Sequence, residues 1–109
     1  MIRVVVLEPL AELELREAAA WYERETVGVG SMFADELELV FGAIAESTTN
    51  GLVVPGVRSD LPLRRAFVSR FPYAVVFVER TDTIHVIAVA HLRRRPNYWL
   101  GRIKRVLSR

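Results

Sequence analysis

A chain of 109 residues without cysteine is long enough for one domain that buries roughly 60–70% of its unfolded surface, and it excludes disulfides, thiol catalysis and thiolate metal sites. Apolar residues make up 51% of it, yet no run approaches the ~20 residues of a membrane helix. The segment from Met1 to Leu7 is also too short for a signal-peptide core, so a soluble, cytoplasmic, single domain over 1–109 is expected. The net charge of +2 conceals a division: residues 1–48 hold ten acids against three arginines, whereas 49–109 hold three acids against twelve basic residues. Seven basic residues lie between Arg93 and Arg109, and all but Lys104 are arginine. The planar arginine fork suits phosphates and carboxylates, so a polyanionic partner on one side of the fold is implied, against the plainer reading of a solvated basic face.

In chain order, Ile2 to Leu7 is valine-rich and closed by Glu8 and Pro9, which predicts a first strand. Pro9 to about Glu25 is built of good helix formers, with Leu15, Ala18, Ala19 and Tyr22 as its apolar stripe. Gly28 and Gly30 break the chain, and Ser31 is placed to cap a second helix whose face is Phe33, Leu37, Val40, Phe41 and Ile44. So short a turn predicts an antiparallel helical hairpin. The proline- and glycine-bearing stretch from Asn50 to Pro62 reads as a loop. Leu63–Ser69, Tyr73–Val78 and Thr83–His91 then read as strands of an antiparallel meander. Pro96 opens a last helix reaching about Leu107, with Trp99, Ile103 and Val106 inward. The order βααβββα is α+β, with a helical hairpin and a C-terminal helix packed on a mainly antiparallel sheet.

Chemistry-bearing residues concentrate late in the chain. His91 ends the last strand just before Arg93, Arg94 and Arg95, where a group titrating near neutrality suits acid or base work; the alternative is a hydrogen-bonded strand-end histidine. His85, six residues earlier on the same strand face and about 20 Å away, cannot share a metal with it, and neither a metal nor another cofactor is expected. Tyr98, Arg102, Arg105 and Arg109 recur at helical spacing opposite Trp99 and Ile103. With Arg93 to Arg95 they would concentrate positive potential at one end of the sheet. Arg64 and Arg65 point to opposite faces, so at most one joins that patch, and Arg70 has the parity of Arg64. The candidate target-binding set comprises Arg65, Arg70, Arg93, Arg94, Arg95, Arg102 and Arg105. Trp21 and Tyr22 read as core aromatics, with contact to a partner as the alternative, and Glu12, Glu14 and Glu17 as a solvated helix face without chemistry.

Several patterns, in order, resemble the RelE/ParE toxin superfamily. They are Glu17 to Glu23 with its aromatic pair, Gly28-Val29-Gly30 followed by Phe33 and Glu36-Leu37, Arg64-Arg65 with Arg70-Phe71-Pro72-Tyr73, and Ala88 to His91 through Arg94, Pro96 and Trp99. The resemblance covers nearly the whole chain. It implies an α+β toxin neutralised by a cognate antitoxin protein, acting either on messenger RNA at the ribosome or on DNA gyrase, with no membrane or small-molecule substrate. The nuclease branch has arginines where this chain has Ala74 and Leu92, and its C-terminal tyrosine has a counterpart in Tyr98. The resemblance thus leans to the gyrase-poisoning, ParE-like side. A ribosome-dependent endoribonuclease using His91, Arg94 and Tyr98 is the alternative, and a degenerate member that only binds its antitoxin is a third reading.

Overall fold

The computed structural model describes residues 2–46, 51–56 and 63–107. Its elements are β1 (Val4–Leu7), α1 (Pro9–Glu25), α2 (Val29–Ala45), β2 (Leu52–Val53), β3 (Leu63–Phe67), β4 (Tyr73–Glu79), β5 (Thr83–His91), a 3-10 turn (Leu100–Arg102) and α3 (Ile103–Leu107). The five strands form one sheet in the order β1-β5-β4-β3-β2. Only β1 and β5 run parallel; the other pairs are antiparallel.

The sheet separates two cores. On one face Ala11, Ala18, Phe33, Leu37 and Ile44 of the hairpin pack against Val75, Phe77, Ile84, Val86 and Val89. On the other, Trp99, Ile103 and Val106 pack against Val54, Val76, Val78, Ile87, Ala88 and Ala90. Buried on both faces, β4 and β5 consequently read as continuous apolar runs rather than as alternating ones. Tyr22, Phe33, Phe71 and Tyr73 close one end of the hairpin core, with ring centroids 4.9–6.3 Å apart.

The helical hairpin forms as predicted, but its turn is built differently. Helix α2 starts at Val29, and its cap position is Gly28, at φ 91°, rather than Ser31. No side chain at the cap supplies an acceptor, so the Glu23 carboxylate of α1 does: it accepts from the Gly28 and Gly30 amides at 2.9 and 3.0 Å. Gly30 lies where the helices touch, since a Cβ there would stand 2.5 Å from the Ala19 carbonyl oxygen.

Further differences follow from pairing. The stretch read as a loop contributes β2, whose Leu52 and Val53 pair with Arg65 and Arg64. Residues 47–50 and 57–62 lie outside the described residues. In β5 the register jumps from Val76↔Ala88 to Phe77↔Val86. Ile87 is thus an extra, bulged residue, and the alternation reverses across it. His85, opposite Val78, and His91, opposite Tyr73, therefore occupy opposite sheet faces rather than the same one. The last helix is shorter than predicted: Asn97 takes φ 61°, which interrupts helical geometry after Pro96, and regular α structure begins only at Ile103. Trp99, Ile103 and Val106 are nevertheless buried, as their spacing implied. Tyr22 packs in the core, but Trp21 is 51% exposed, contrary to its reading as a core aromatic.

Candidate functional site

Two clefts meet at the end of the sheet where β5 runs into the C-terminal segment. One, of about 260 Å³, lies on the α3 face and is floored by Ala74, Val76 and Ala90, with Arg65, His91, Arg94, Arg95 and Tyr98 around it. The other, of about 400 Å³, lies between α1 and β5 and includes Glu14, Trp21, Arg24 and Tyr73. His91, Arg94 and Tyr98 border both. The structure therefore brings together the three residues of the nuclease reading.

Arg65 is the β3 arginine that joins this region, because its register partner Val76 lies on the α3 face. Its guanidinium sits 5.1 Å from the Phe67 ring centroid, and its buried Nε has no hydrogen-bond partner among the described residues. Arg70 is exposed on the β3–β4 turn at φ 70° and borders neither cleft, nor does the exposed Arg93. Arg105 faces elsewhere, its Nε 3.5 Å from the Glu8 carboxylate. Arg109 lies outside the described residues. The single basic stripe is thus divided between two acids of the N-terminal half. His91 stacks edge-on against Tyr73 at 5.0 Å, and its Nδ1 accepts from the Arg93 amide at 3.0 Å.

The centre of the arrangement is Glu14, which the sequence reading treated as solvated. Its side chain is only 15% exposed and pairs with Arg102, itself 13% exposed. The guanidinium fork meets both carboxylate oxygens, Nη1 to Oε1 at 2.9 Å and Nη2 to Oε2 at 3.1 Å. Oε2 also accepts from the Tyr98 hydroxyl at 2.5 Å and from Arg94 Nη1 at 3.4 Å. The Arg94 guanidinium lies 3.7 Å from the Tyr98 ring centroid. Burial, followed by the hydrogen bond to Glu14 and its charge, pushes the Tyr98 phenol well above its ordinary range. Tyr98 is therefore a protonated donor at neutral pH and not a base. The signal for Glu14 was its spacing: at i+3 from Ala11 and i−4 from Ala18, both buried, it lies on the inward face of α1.

The Glu14–Arg102 pair also completes the sheet. Parallel pairing with β1 ends at Leu7↔Val86, because Pro9 starts α1, and the Glu8 amide makes the last backbone bond, to Val86 O at 2.9 Å. Beyond it, Arg102 Nη1 donates to Ile87 O at 3.1 Å, and Glu14 Oε1 accepts from the Val89 amide at 3.1 Å. One donor and one acceptor flanking Ala88 are what a further residue of a parallel neighbour would offer. The ion pair takes that place, clasping the edge of β5 from the helix layers on its two faces.

Among the described residues no helix is long and apolar enough to cross a membrane, and no three histidine, aspartate or glutamate side chains are grouped to hold a metal.

No protein-family model matches the sequence, and no curated protein matches it. Among solved structures, the chain is similar to a chain of the chromosomal ParDE TA system from P. aeruginosa, with a TM-score of 0.66 and 12% identity. The similarity covers 84% of this chain and 98% of that one. At that identity the likeness is one of fold, and it agrees with the α+β arrangement expected from the sequence: this chain shares the fold of that ParDE-system chain.

Proposed function

We propose that this chain is the toxin of a type II toxin–antitoxin pair, arresting growth in the cytoplasm by binding a macromolecular target through its arginine-rich C-terminal surface. The favoured target is DNA gyrase, and a cognate antitoxin with an acidic, partly apolar segment masks the surface. The fold supports the toxin reading. The observation that carries the choice of a binding poison over a nuclease is the engagement of Tyr98, Arg94 and Arg102 by one carboxylate. Metal-free RNA cleavage needs a proton acceptor, a proton donor and cations free to meet a phosphate. Here the phenol and both guanidiniums already face Glu14, and Ala74 leaves the cleft floor without the arginine of the nuclease branch. A distributed cationic surface needs no such constellation. Of the arginines expected to meet the target, Arg65, Arg94 and Arg95 stand at the cleft and Arg93 and Arg70 on its exposed surroundings, and these form the target-binding surface, whereas Arg102 and Arg105 are taken up by Glu14 and Glu8.

The second reading, a ribosome-dependent endoribonuclease, is favoured by the meeting of His91, Arg94 and Tyr98 at one pair of clefts. Induction of the chain without antitoxin separates the two. Growth arrest with filamentation and DNA-damage signalling, transcripts staying intact, is the expected result. Rapid transcript cleavage in a purified translation system would overturn it in favour of the nuclease.

A further inference from the structure

The donors around Glu14 form a receptor for a carboxylate, and the carboxylate that fills it comes from the chain itself. Arg102 presents a two-pronged fork, which matches a planar carboxylate with one oxygen for each nitrogen. The Tyr98 hydroxyl and Arg94 add donors to Oε2. Behind the site, Ile87 O and Val89 N–H are strand-edge groups whose partners in the free chain are side chains. A polypeptide has both the donor and the acceptor that this edge requires, whereas a nucleic-acid backbone offers phosphate acceptors but no amide donor for Ile87 O. Arg94 is loosely engaged, at 3.4 Å and with its side chain 55% exposed, and so stands where an incoming acid first meets the site. The adjoining cleft of about 400 Å³, bordered by Trp21 and Arg24, gives an approach from solvent.

We propose that Arg94, Tyr98 and Arg102 form an exchangeable carboxylate site, occupied by Glu14 in the free chain and by a glutamate or aspartate of an extended acidic protein segment in the bound one. The proposal rests on the reading above, in which an acidic antitoxin segment covers this surface. Glu14 is then an internal competitor. It holds the C-terminal segment against β5 when no partner is present, and it lowers the apparent affinity for the partner by the fraction of time it occupies the site. An ion pair that only stabilised the fold would have the opposite consequence, since losing it would loosen the surface and weaken every ligand.

The test uses the purified chain, its Glu14→Ala variant and a Glu14→Ala/Arg102→Met double variant. Thermal unfolding is followed in sodium acetate, in inorganic phosphate and in chloride at matched ionic strength, and a glutamate-rich octapeptide is titrated calorimetrically. Acetate is expected to raise the midpoint of Glu14→Ala beyond the effect of chloride, in proportion to its concentration, and to give no such excess in the parent chain or the double variant. The peptide is expected to bind Glu14→Ala at least about tenfold more tightly than the parent chain. Should the alanine variant not fold, Glu14→Gln keeps the side-chain length and loses the charge, and tighter peptide binding by it carries the same weight. Acetate acting no better than chloride, or equal peptide affinity with and without Glu14, overturns the proposal. Phosphate outperforming acetate also overturns it, assigning the site to a phosphate ligand. No growth assay enters, so a chain that shows the acetate response but does not arrest cells refutes the toxin reading and leaves the site standing.

Discussion

Removing Glu14 should destabilise the fold more than removing the arginine it holds. Glu14→Ala leaves the mostly buried Arg102 cation with Ile87 O as its one hydrogen-bond acceptor among the described residues, and leaves the Tyr98 hydroxyl and the Val89 amide without their acceptor. Breaking a buried ion pair from one side costs roughly 3–5 kcal/mol. The residual exposure of 15% and 13% places this pair at the lower end, at about 3 kcal/mol. Arg102→Met keeps the aliphatic stem, and Glu14 still accepts from Tyr98, Val89 N–H and Arg94, so the expected loss is about 1–2 kcal/mol. The double variant should cost less than the sum, because both changes remove the same contact, with a coupling of about 1–2 kcal/mol. Urea unfolding of all four proteins at constant slope measures the cycle, and Glu14→Ala should also lower the thermal midpoint by roughly 13 °C. A Glu14→Ala loss no larger than that of Arg102→Met, or strict additivity, would refute the view that the carboxylate organises this cluster.

Three further outcomes follow from the geometry. Gly30→Ala places a methyl 2.5 Å from the Ala19 carbonyl oxygen, so it should separate the hairpin helices and cost roughly 1–3 kcal/mol in urea unfolding; a neutral result would mean that the helix contact is looser than described. Tyr22, Tyr73 and Tyr98 all have phenol pKa values raised above the ordinary 10.0, chiefly by burial. The folded state holds these protons more tightly, so the associated stability is complete below about pH 10 and is lost as pH rises further. A Tyr98→Phe variant should show a shallower alkaline loss, and an unchanged profile counts against the buried phenol. In growth assays at equal soluble expression, His91→Gln should leave arrest largely intact, while combined substitution of Arg93, Arg94 and Arg95 abolishes it; the reverse pattern supports the nuclease.

Local chemistry carried most of the element assignments. Phe33, Leu37 and Ile44 recur at helical spacing and are buried on α2, and Trp99, Ile103 and Val106 are buried at the C-terminus despite the shortened helix. The antiparallel meander and the concentration of arginine after β5 were likewise legible, since both depend on composition and on short connections. Pairing decided what periodicity could not. The bulge at Ile87 reverses the side-chain alternation of β5 and separates His85 from His91, and β2 exists as a strand only because Arg64 and Arg65 lie beside it. Glu14 shows the difference most clearly. Its position between Ala11 and Ala18 put it on the inward face of α1, but burial of a carboxylate is tolerable only when cations and donors arrive to meet it. Those donors, Tyr98 and Arg102, lie 84 and 88 residues further along the chain. They reach Glu14 because β1 stops short of the end of β5, leaving an open backbone edge around which the two helical layers can join.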